Sequence, residues 1–160
     1  MLVDSDPASV FDFVFDSTKR SEWQHDVQRT SGLIPDPVEG SSWVEFRKIG
    51  SRELRVVITV TEVVRPSFIR FDGDAGPFGG EGGFEFRRVG SRTELTYHAE
   101  IRGRGLNALF TRAVVRRARR ITQANLYRLT CRFPAEEPTP ASRPQVAPAD
   151  GMRGWETATA

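Results

Sequence analysis

The chain has 160 residues, 38% of them hydrophobic and 28% charged, and its formal net charge is +2. This length and composition indicate one globular domain, large enough to need no disulfide or metal for stability. The single cysteine, Cys131, excludes an internal disulfide. No apolar run is long enough to cross a bilayer. We expect a soluble, cytoplasmic protein, because the first residues lack the charged and apolar regions of a signal peptide.

Two short helices are predicted near the N-terminus. Asp6 followed by Pro7 is typical of a helix N-cap with proline at the first helical position. The spacing of the apolar residues that follow predicts a helix over about 7–16. A second helical stretch is predicted over about 18–24.

The apolar period then changes to two residues, which indicates strands. Gly50-Ser51 and Gly90-Ser91 have the length of tight hairpin turns. The glycine-rich stretch 73–83 is interpreted as a flexible hairpin connection, with a lid as the functional alternative. The predicted strands cover about 26–34, 42–49, 52–64, 67–73, 82–89 and 92–102.

A long amphipathic helix is predicted from about Leu106 to Phe133, where Pro134 follows and ends it. A helix of some 28 residues would be about 40 Å long, enough to lie across a whole sheet. The sequence therefore predicts an α+β fold in which a curved antiparallel sheet of six to seven strands wraps around this helix. We expect the domain to cover 1–134 and the Pro- and Ala-rich residues 135–160 to form a disordered tail.

This order of elements resembles the SRPBCC superfamily, also called START-like or Bet v 1-like helix-grip proteins, and within it the polyketide cyclase/dehydrase branch. The resemblance covers about residues 3–133. It rests on six segments of the sequence: Pro7 to Val14, Asp16 to Trp23, Gly40-Ser41-Ser42, Val60 to Pro66, Gly105-Leu106, and Asn125 to Leu129.

The chain departs from the family pattern at its start. Such domains begin with a full strand, and here only Met1 to Val3 stand before the first helix. Either the given sequence starts late within this strand, or most of an edge strand has been lost. In the second case the strand at 92–102 would keep unpaired backbone groups along one edge. An exposed edge favours pairing between protomers, so we expect a homodimer or poor solubility.

The resemblance implies a cavity between the sheet and the long helix that holds a small lipophilic molecule. The alternative is that the aromatic rings simply fill the core. The residues expected to line the cavity are Trp23, Val44, Phe46, Phe71, Phe84, Phe86, Tyr97, Phe110, Val114 and Ala118.

Binding without chemistry and a polyketide cyclase/aromatase-like enzyme are both consistent with such a cavity. In the enzyme, Tyr97, Arg117 or His25 would assist proton transfer, and confinement of the substrate would supply much of the acceleration. No metal is expected, since one cysteine and two distant histidines cannot form a zinc site. No cofactor is expected, because the glycine stretch matches neither phosphate-binding pattern.

The predicted helix also carries four arginines on its outer side, with no acidic residue between them. Either this is a solvated helix face, or it binds an anionic partner such as RNA, an acidic protein or lipid headgroups. The second interpretation makes the chain an interaction module. The four residues are Arg112, Arg116, Arg119 and Arg120.

Overall fold

The computed structural model describes residues 1–16, 18–32 and 36–134. The tail expected at 135–160 lies outside the described residues. The helices are α1 (Pro7–Phe15), α2 (Arg20–Trp23), a 3-10 helix (Gly105–Phe110) and α3 (Thr111–Thr130). The strands are β1 (Leu2–Val3), β2 (Val27–Ser31), β3 (Ser42–Ile49), β4 (Arg52–Val64), β5 (Phe68–Asp74), β6 (Phe78–Val89) and β7 (Arg92–Gly103).

The seven strands form one antiparallel sheet in the order β1-β7-β6-β5-β4-β3-β2. Residues 50–51 make the tight turn between β3 and β4, which pairs Ile49 with Arg52 and Trp43 with Ile58. The predicted α+β class, with an antiparallel sheet, two short N-terminal helices and a long C-terminal helix, is confirmed.

The first helix covers one end of the inner face of the sheet. The Asp6 carboxylate accepts hydrogen bonds from the backbone N–H groups of Ala8 and Ser9, at 3.0 and 3.2 Å, and so caps α1 as predicted. Phe11 is fully buried, and its ring centroid lies 5.2 Å from that of Phe86 in β6. The main core therefore lies between α1 and the neighbouring half of the sheet.

The long helix is shorter than predicted. Residues 105–110 form a 3-10 helix, and α3 begins only at Thr111 and is 20 residues long. The Gly103 N–H donates to Thr111 Oγ1 at 3.1 Å, which holds the start of α3 against the end of β7. The apolar residues upstream of 111 therefore continue the hydrophobic pattern without continuing the α-helix.

The glycine-rich stretch is also different from the prediction. β5 extends to Asp74 and β6 begins at Phe78, so only residues 75–77 connect the two strands. A Cβ at Gly80 would collide with the Glu100 carbonyl oxygen of β7. Most of these glycines are therefore strand residues that allow close approach of the neighbouring backbone, and the expectation of a flexible connection over 73–83 is wrong.

The first strand is as short as its sequence suggests. β1 pairs with β7 only at Glu94 and Thr93, next to a backbone hydrogen bond from Leu95 N–H to Met1 O. Within the described residues, no strand of the chain pairs with the outer edge of β7 beyond this point. The expected association of protomers along this edge stays a prediction.

Candidate ligand-binding cleft

The inner face of the sheet can be assigned from the cross-strand pairs. Trp43 and Glu45 of β3 are buried and lie opposite Ile58 and Val56 of β4. Directly paired residues point to the same face of a sheet. Alternate residues of β3 starting at Trp43 therefore face α3.

One half of this inner face is filled. Trp23, Phe84 and Phe86 are 1%, 5% and 5% exposed; Phe84 and Phe86 pack with rings of α1, and Trp23 packs edge-on against Phe84. Trp23 and Phe86 therefore belong to the closed core, as expected if the aromatic rings fill the core rather than line a cavity. Phe84 stands at the boundary, because its ring also contacts those of Phe71 and Tyr97.

The other half is less completely filled: glycines stand at several inner positions of its floor, and the Phe71 ring covers one of them, Gly82. The register places Gly73 opposite Gly80, and Gly82 opposite Ala99, on the inner face. A Cβ at Gly73 would lie 3.7 Å from Ile58 Cδ1, in ordinary contact. Ala99 is exposed although it faces inward, so water reaches this floor.

The N-terminal half of α3 forms the roof over this floor. Val114, Ala118 and Ile121 are only partly buried and do not join the hydrophobic core. Leu129, further along the helix, is fully buried. Helix α3 is therefore packed through its C-terminal half, and we call the region between its partly buried N-terminal half and the sheet around Gly73 and Ala99 the cleft.

Several predicted lining residues take part in this cleft and others do not. Phe71, Tyr97, Val114 and Ala118 lie at it, and Phe84 forms its back wall. Val44 and Phe46 point to the outer face, where the Arg29 guanidinium lies 3.3 Å from the Phe46 ring centroid. Phe110 is 61% exposed, because it belongs to the 3-10 helix and precedes α3.

A buried carboxylate occupies the inner face of β3. Glu45 is 0% exposed and accepts hydrogen bonds from Trp43 Nε1 at 3.0 Å and Arg20 Nη1 at 2.7 Å. Arg47 donates to its other oxygen through Nε at 2.8 Å and Nη2 at 2.5 Å. Two guanidinium groups therefore hold this one carboxylate.

The same network reaches the long helix. Arg47 Nη1 donates to Asp26 Oδ2 at 2.8 Å, and Asn125 Nδ2 of α3 donates to Asp26 Oδ1 at 2.7 Å. The Asn125 side chain is the point where α3 joins these charges. We call Arg20, Asp26, Glu45, Arg47 and Asn125 the ionic network; its two positive and two negative groups cancel in charge.

The network sets the protonation state of its central carboxylate. Burial alone would raise the pKa of Glu45, but the charges of Arg47 and then Arg20 outweigh burial and lower the pKa to about 2. Glu45 is therefore ionised at neutral pH.

Tyr97 lies between the network and the cleft. Its ring centroid is 4.8 Å from that of Phe84. Burial raises the pKa of the Tyr97 phenol, opposed by the charge of Arg47 and assisted by those of Glu45 and Asp26. The phenol therefore stays protonated at neutral pH and can donate a hydrogen bond.

The other two catalytic candidates lie at the margins. His25 is exposed, and its Nδ1 lies 2.8 Å from Asn125 Oδ1. Arg117 is exposed, and its Nη2 would lie 3.4 Å from a Cβ at Gly50, in the β3–β4 turn. The structure thus brings His25 to the network and places Arg117 beside the β3–β4 turn.

In the described ranges, no group of three or more His, Cys, Asp or Glu side chains is arranged to hold a metal ion. Among the helices described, none combines the length and apolar character needed to cross a membrane.

The sequence did contain a signal for the inner face of β3. Polar Thr59 and Thr61 alternate with Ile58 and Val60 in β4, which indicates that the latter pair faces inward. The two-residue turn at 50–51 then places Trp43, rather than Val44, on the inner side. The sequence analysis assigned the inner face to Val44 and Phe46 instead, because the two residues that follow Trp43 on its face, Glu45 and Arg47, are charged.

The comparisons with known proteins agree with this geometry. A family model described as "Polyketide cyclase / dehydrase and lipid transport" matches residues 1–134. The chain belongs to this family. A search of curated proteins found no significant match to this sequence.

Solved structures of similar fold confirm the helix-grip architecture of this family member. A protein from Thermus thermophilus is 16% identical with a TM-score of 0.66, covering 83% of this chain and 92% of that chain. Ara h 8.0201 is 9% identical with a TM-score of 0.60, covering 81% and 93%. The di-domain ARO/CYC protein BexL of the BE-7585A biosynthetic pathway is 12% identical with a TM-score of 0.65, covering 82% of this chain and 43% of that longer chain.

Replacing Glu45 by Gln tests the ionic network in this family member. The variant should lose about 3–5 kcal/mol of unfolding free energy at neutral pH, because two guanidinium groups lose their buried counter-charge. Urea unfolding measures this loss. Folding lowers the pKa of Glu45 from its ordinary value of 4.5 to about 2. The wild type should therefore also lose unfolding free energy as the pH falls from 4.5 towards about 2. The Gln variant should lack this pH-dependent loss.

Glu53→Gln is the matched control, since Glu53 is 52% exposed and pairs with exposed Arg29 at 3.3 Å. It should change stability by less than about 1 kcal/mol. Equal effects of the two substitutions would contradict a stabilising network at Glu45.

Proposed function

We propose that this chain binds a small lipophilic molecule in the cleft between the sheet and the N-terminal half of α3. The observation that carries the proposal is the floor of Gly73, Gly80 and Ala99 beneath a helix segment whose apolar residues do not join the core. A natural core would fill such a space with side chains. A ligand would supply the missing apolar contacts.

The walls of the cleft favour an apolar ligand. Phe71 and Val56 lie on the inner face of the sheet, and Val114 and Ala118 are partly buried residues of the N-terminal half of α3 that would face them. Burial of apolar surface contributes about 25 cal/mol per Å² before the cost of immobilising the ligand. A mostly hydrocarbon molecule would therefore bind, and a fully polar one would not.

One end of the cleft offers a polar contact. The Tyr97 phenol is protonated at neutral pH, and the Arg47 side chain nearby is 24% exposed. A few placed polar groups in an apolar site fix the orientation of a ligand. We expect the ligand to carry a carbonyl or hydroxyl group at the end that meets Tyr97.

Replacing Gly73 by Leu tests the cleft directly. The new side chain should occupy the floor without a backbone collision, since its Cβ would meet only ordinary contacts at 3.7 Å or more. We expect Nile red, a neutral lipophilic dye, to bind at least about tenfold more weakly, a loss of about 1.4 kcal/mol. Fluorescence titration of the dye measures this change.

Asp72→Leu is the matched control, because it adds the same side chain one residue away on the outer face of β5. It should leave dye binding unchanged. The Asp72→Leu variant should keep a urea midpoint close to the wild-type value. The Gly73→Leu variant should keep the same midpoint or have a higher one, because a strand glycine is replaced. Unaltered dye binding by the Gly73→Leu variant would rule out this cleft as the site.

A second function, a cyclase-type enzyme, is favoured by the position of Tyr97. An intramolecular aldol closure forms a carbon–carbon bond, moves a proton from carbon to the former carbonyl oxygen, and needs no oxidant or reductant. A neutral phenol at the cleft would donate a hydrogen bond to that oxygen as negative charge develops on it. Family membership and the likeness in fold to an ARO/CYC protein support this alternative.

Tyr97→Phe separates the two functions. Phenylalanine keeps the ring contact with Phe84 and removes the hydroxyl, so Nile red binding should persist. If the chain is an enzyme, turnover of a synthetic poly-β-ketone thioester should fall by about 10²–10³. Mass spectrometry of the products follows the reaction. Absence of turnover in the wild type, or equal turnover in the variant, would count against a catalytic role for Tyr97.

A further inference from the structure

We propose that the protein docks on an anionic lipid surface through two neighbouring features of its C-terminal region. The first is the basic face of α3, formed by Arg112, Arg116, Arg119 and Arg120. The second is the apolar tip, formed by Leu106, Leu109 and Phe110 of the 3-10 helix. This surface lies outside the ligand-binding cleft and does not depend on it.

The basic face is an uncompensated positive surface. The chain has no acidic residue between Ile101 and Pro134. Within the described ranges, no carboxylate lies within 4 Å of any of the four arginines, whereas arginines of the sheet such as Arg70 and Arg87 have ion-pair partners. Repulsion between like charges one turn apart is relieved by an anionic partner.

These arginines lie together in space as well as in sequence. Their side chains border one open, shallow groove of about 470 Å³, together with Thr111, Val115 and Gln123. Residues three and four apart share one side of a helix, as this spacing requires. The groove is open to solvent, so several anionic groups could lie along it at once.

The apolar tip is exposed and held in place. Leu106, Leu109 and Phe110 are 84%, 81% and 61% exposed. The other side of the 3-10 helix packs on β7, since a Cβ at Gly103 would lie 2.5 Å from Asn107 O. Three large apolar side chains within five residues are therefore directed to solvent at the N-terminal end of the basic face.

The two features together favour a membrane over other anionic partners. An RNA backbone would satisfy the arginines but would leave Leu106 and Leu109 in water. A second copy of the chain would bring another basic face against the first. An anionic bilayer offers phosphate groups at its surface and an apolar layer just below it, the pattern recognised by interfacial helices with basic and apolar sides.

Vesicle co-sedimentation of the full chain tests this docking surface. Wild-type protein should bind vesicles of phosphatidylcholine mixed with phosphatidylglycerol, and bind pure phosphatidylcholine weakly, with the difference reduced by salt. Replacing Arg116 and Arg120 by Gln should weaken binding by about fivefold for each arginine, hence about 25-fold together. Replacing Leu109 and Phe110 by Ser should also weaken it, by at least about tenfold.

The matched control is the pair Arg55→Gln and Arg88→Gln, which removes two exposed arginines from the sheet. Their loss should change vesicle binding by less than about twofold, because they lie away from the docking surface. The Gly73→Leu variant should bind vesicles like the wild type, so failure of the cleft and failure of the docking surface give different results. All exposed substitutions should leave the urea unfolding midpoint in place.

Four results would overturn the proposal. The first is equal binding to neutral and anionic vesicles, and the second is a loss of vesicle binding in the Arg55/Arg88 control variant as large as in the Arg116/Arg120 variant. The third is tight binding of a single-stranded RNA that persists after Leu109 and Phe110 are replaced. The fourth is a wild-type dimer in sedimentation equilibrium that dissociates in the Leu109/Phe110 variant. The last two would assign the surface to a nucleic acid or to a second copy.

Discussion

The position of the long helix depends on a small set of buried charges. Glu45 and Asp26 accept hydrogen bonds from Arg20, Arg47 and Asn125, and all but Arg47 are almost fully buried. A buried ion left unpaired costs several kcal/mol. The observed placement of α3 brings Asn125 to Asp26 and gives the second carboxylate oxygen of Asp26 its hydrogen bond. We therefore regard the ionic network as the constraint that fixes where α3 crosses the sheet.

This constraint divides the interior in two. On one side of the network, Leu129 and the rings around Phe86 close the core under α1. On the other side, Val114 and Ala118 stay partly exposed over a floor of glycines. The space between them is a consequence of where the helix is anchored and of which strand positions lack side chains. Binding in this space therefore needs no rearrangement of the core.

Most of the fold could be predicted from the sequence, because turns and alternation are local signals. Asp6-Pro7 marked α1, and the turn at Gly50-Ser51 marked the β3–β4 hairpin within one residue. The candidate site was harder, because its key residue, Glu45, is a charge on the buried side of a strand, against the usual preference. That preference directed attention to Val44 and Phe46, which face outward. The start of α3 was misplaced for a related reason, since the exposed Leu109 continues the apolar pattern.

Hydrogen exchange along α3 tests the central claim most directly. If Asn125 and Leu129 anchor the helix while the turns that follow Thr111 stand off from the sheet, amides over 122–130 should exchange nearly as slowly as those of β5 and β6, which are paired on both sides. Amides over 111–118 should then exchange faster by about an order of magnitude or more, because their opening breaks few packing contacts. Uniform protection along the whole helix, or faster exchange at 122–130 than at 111–118, would contradict the account.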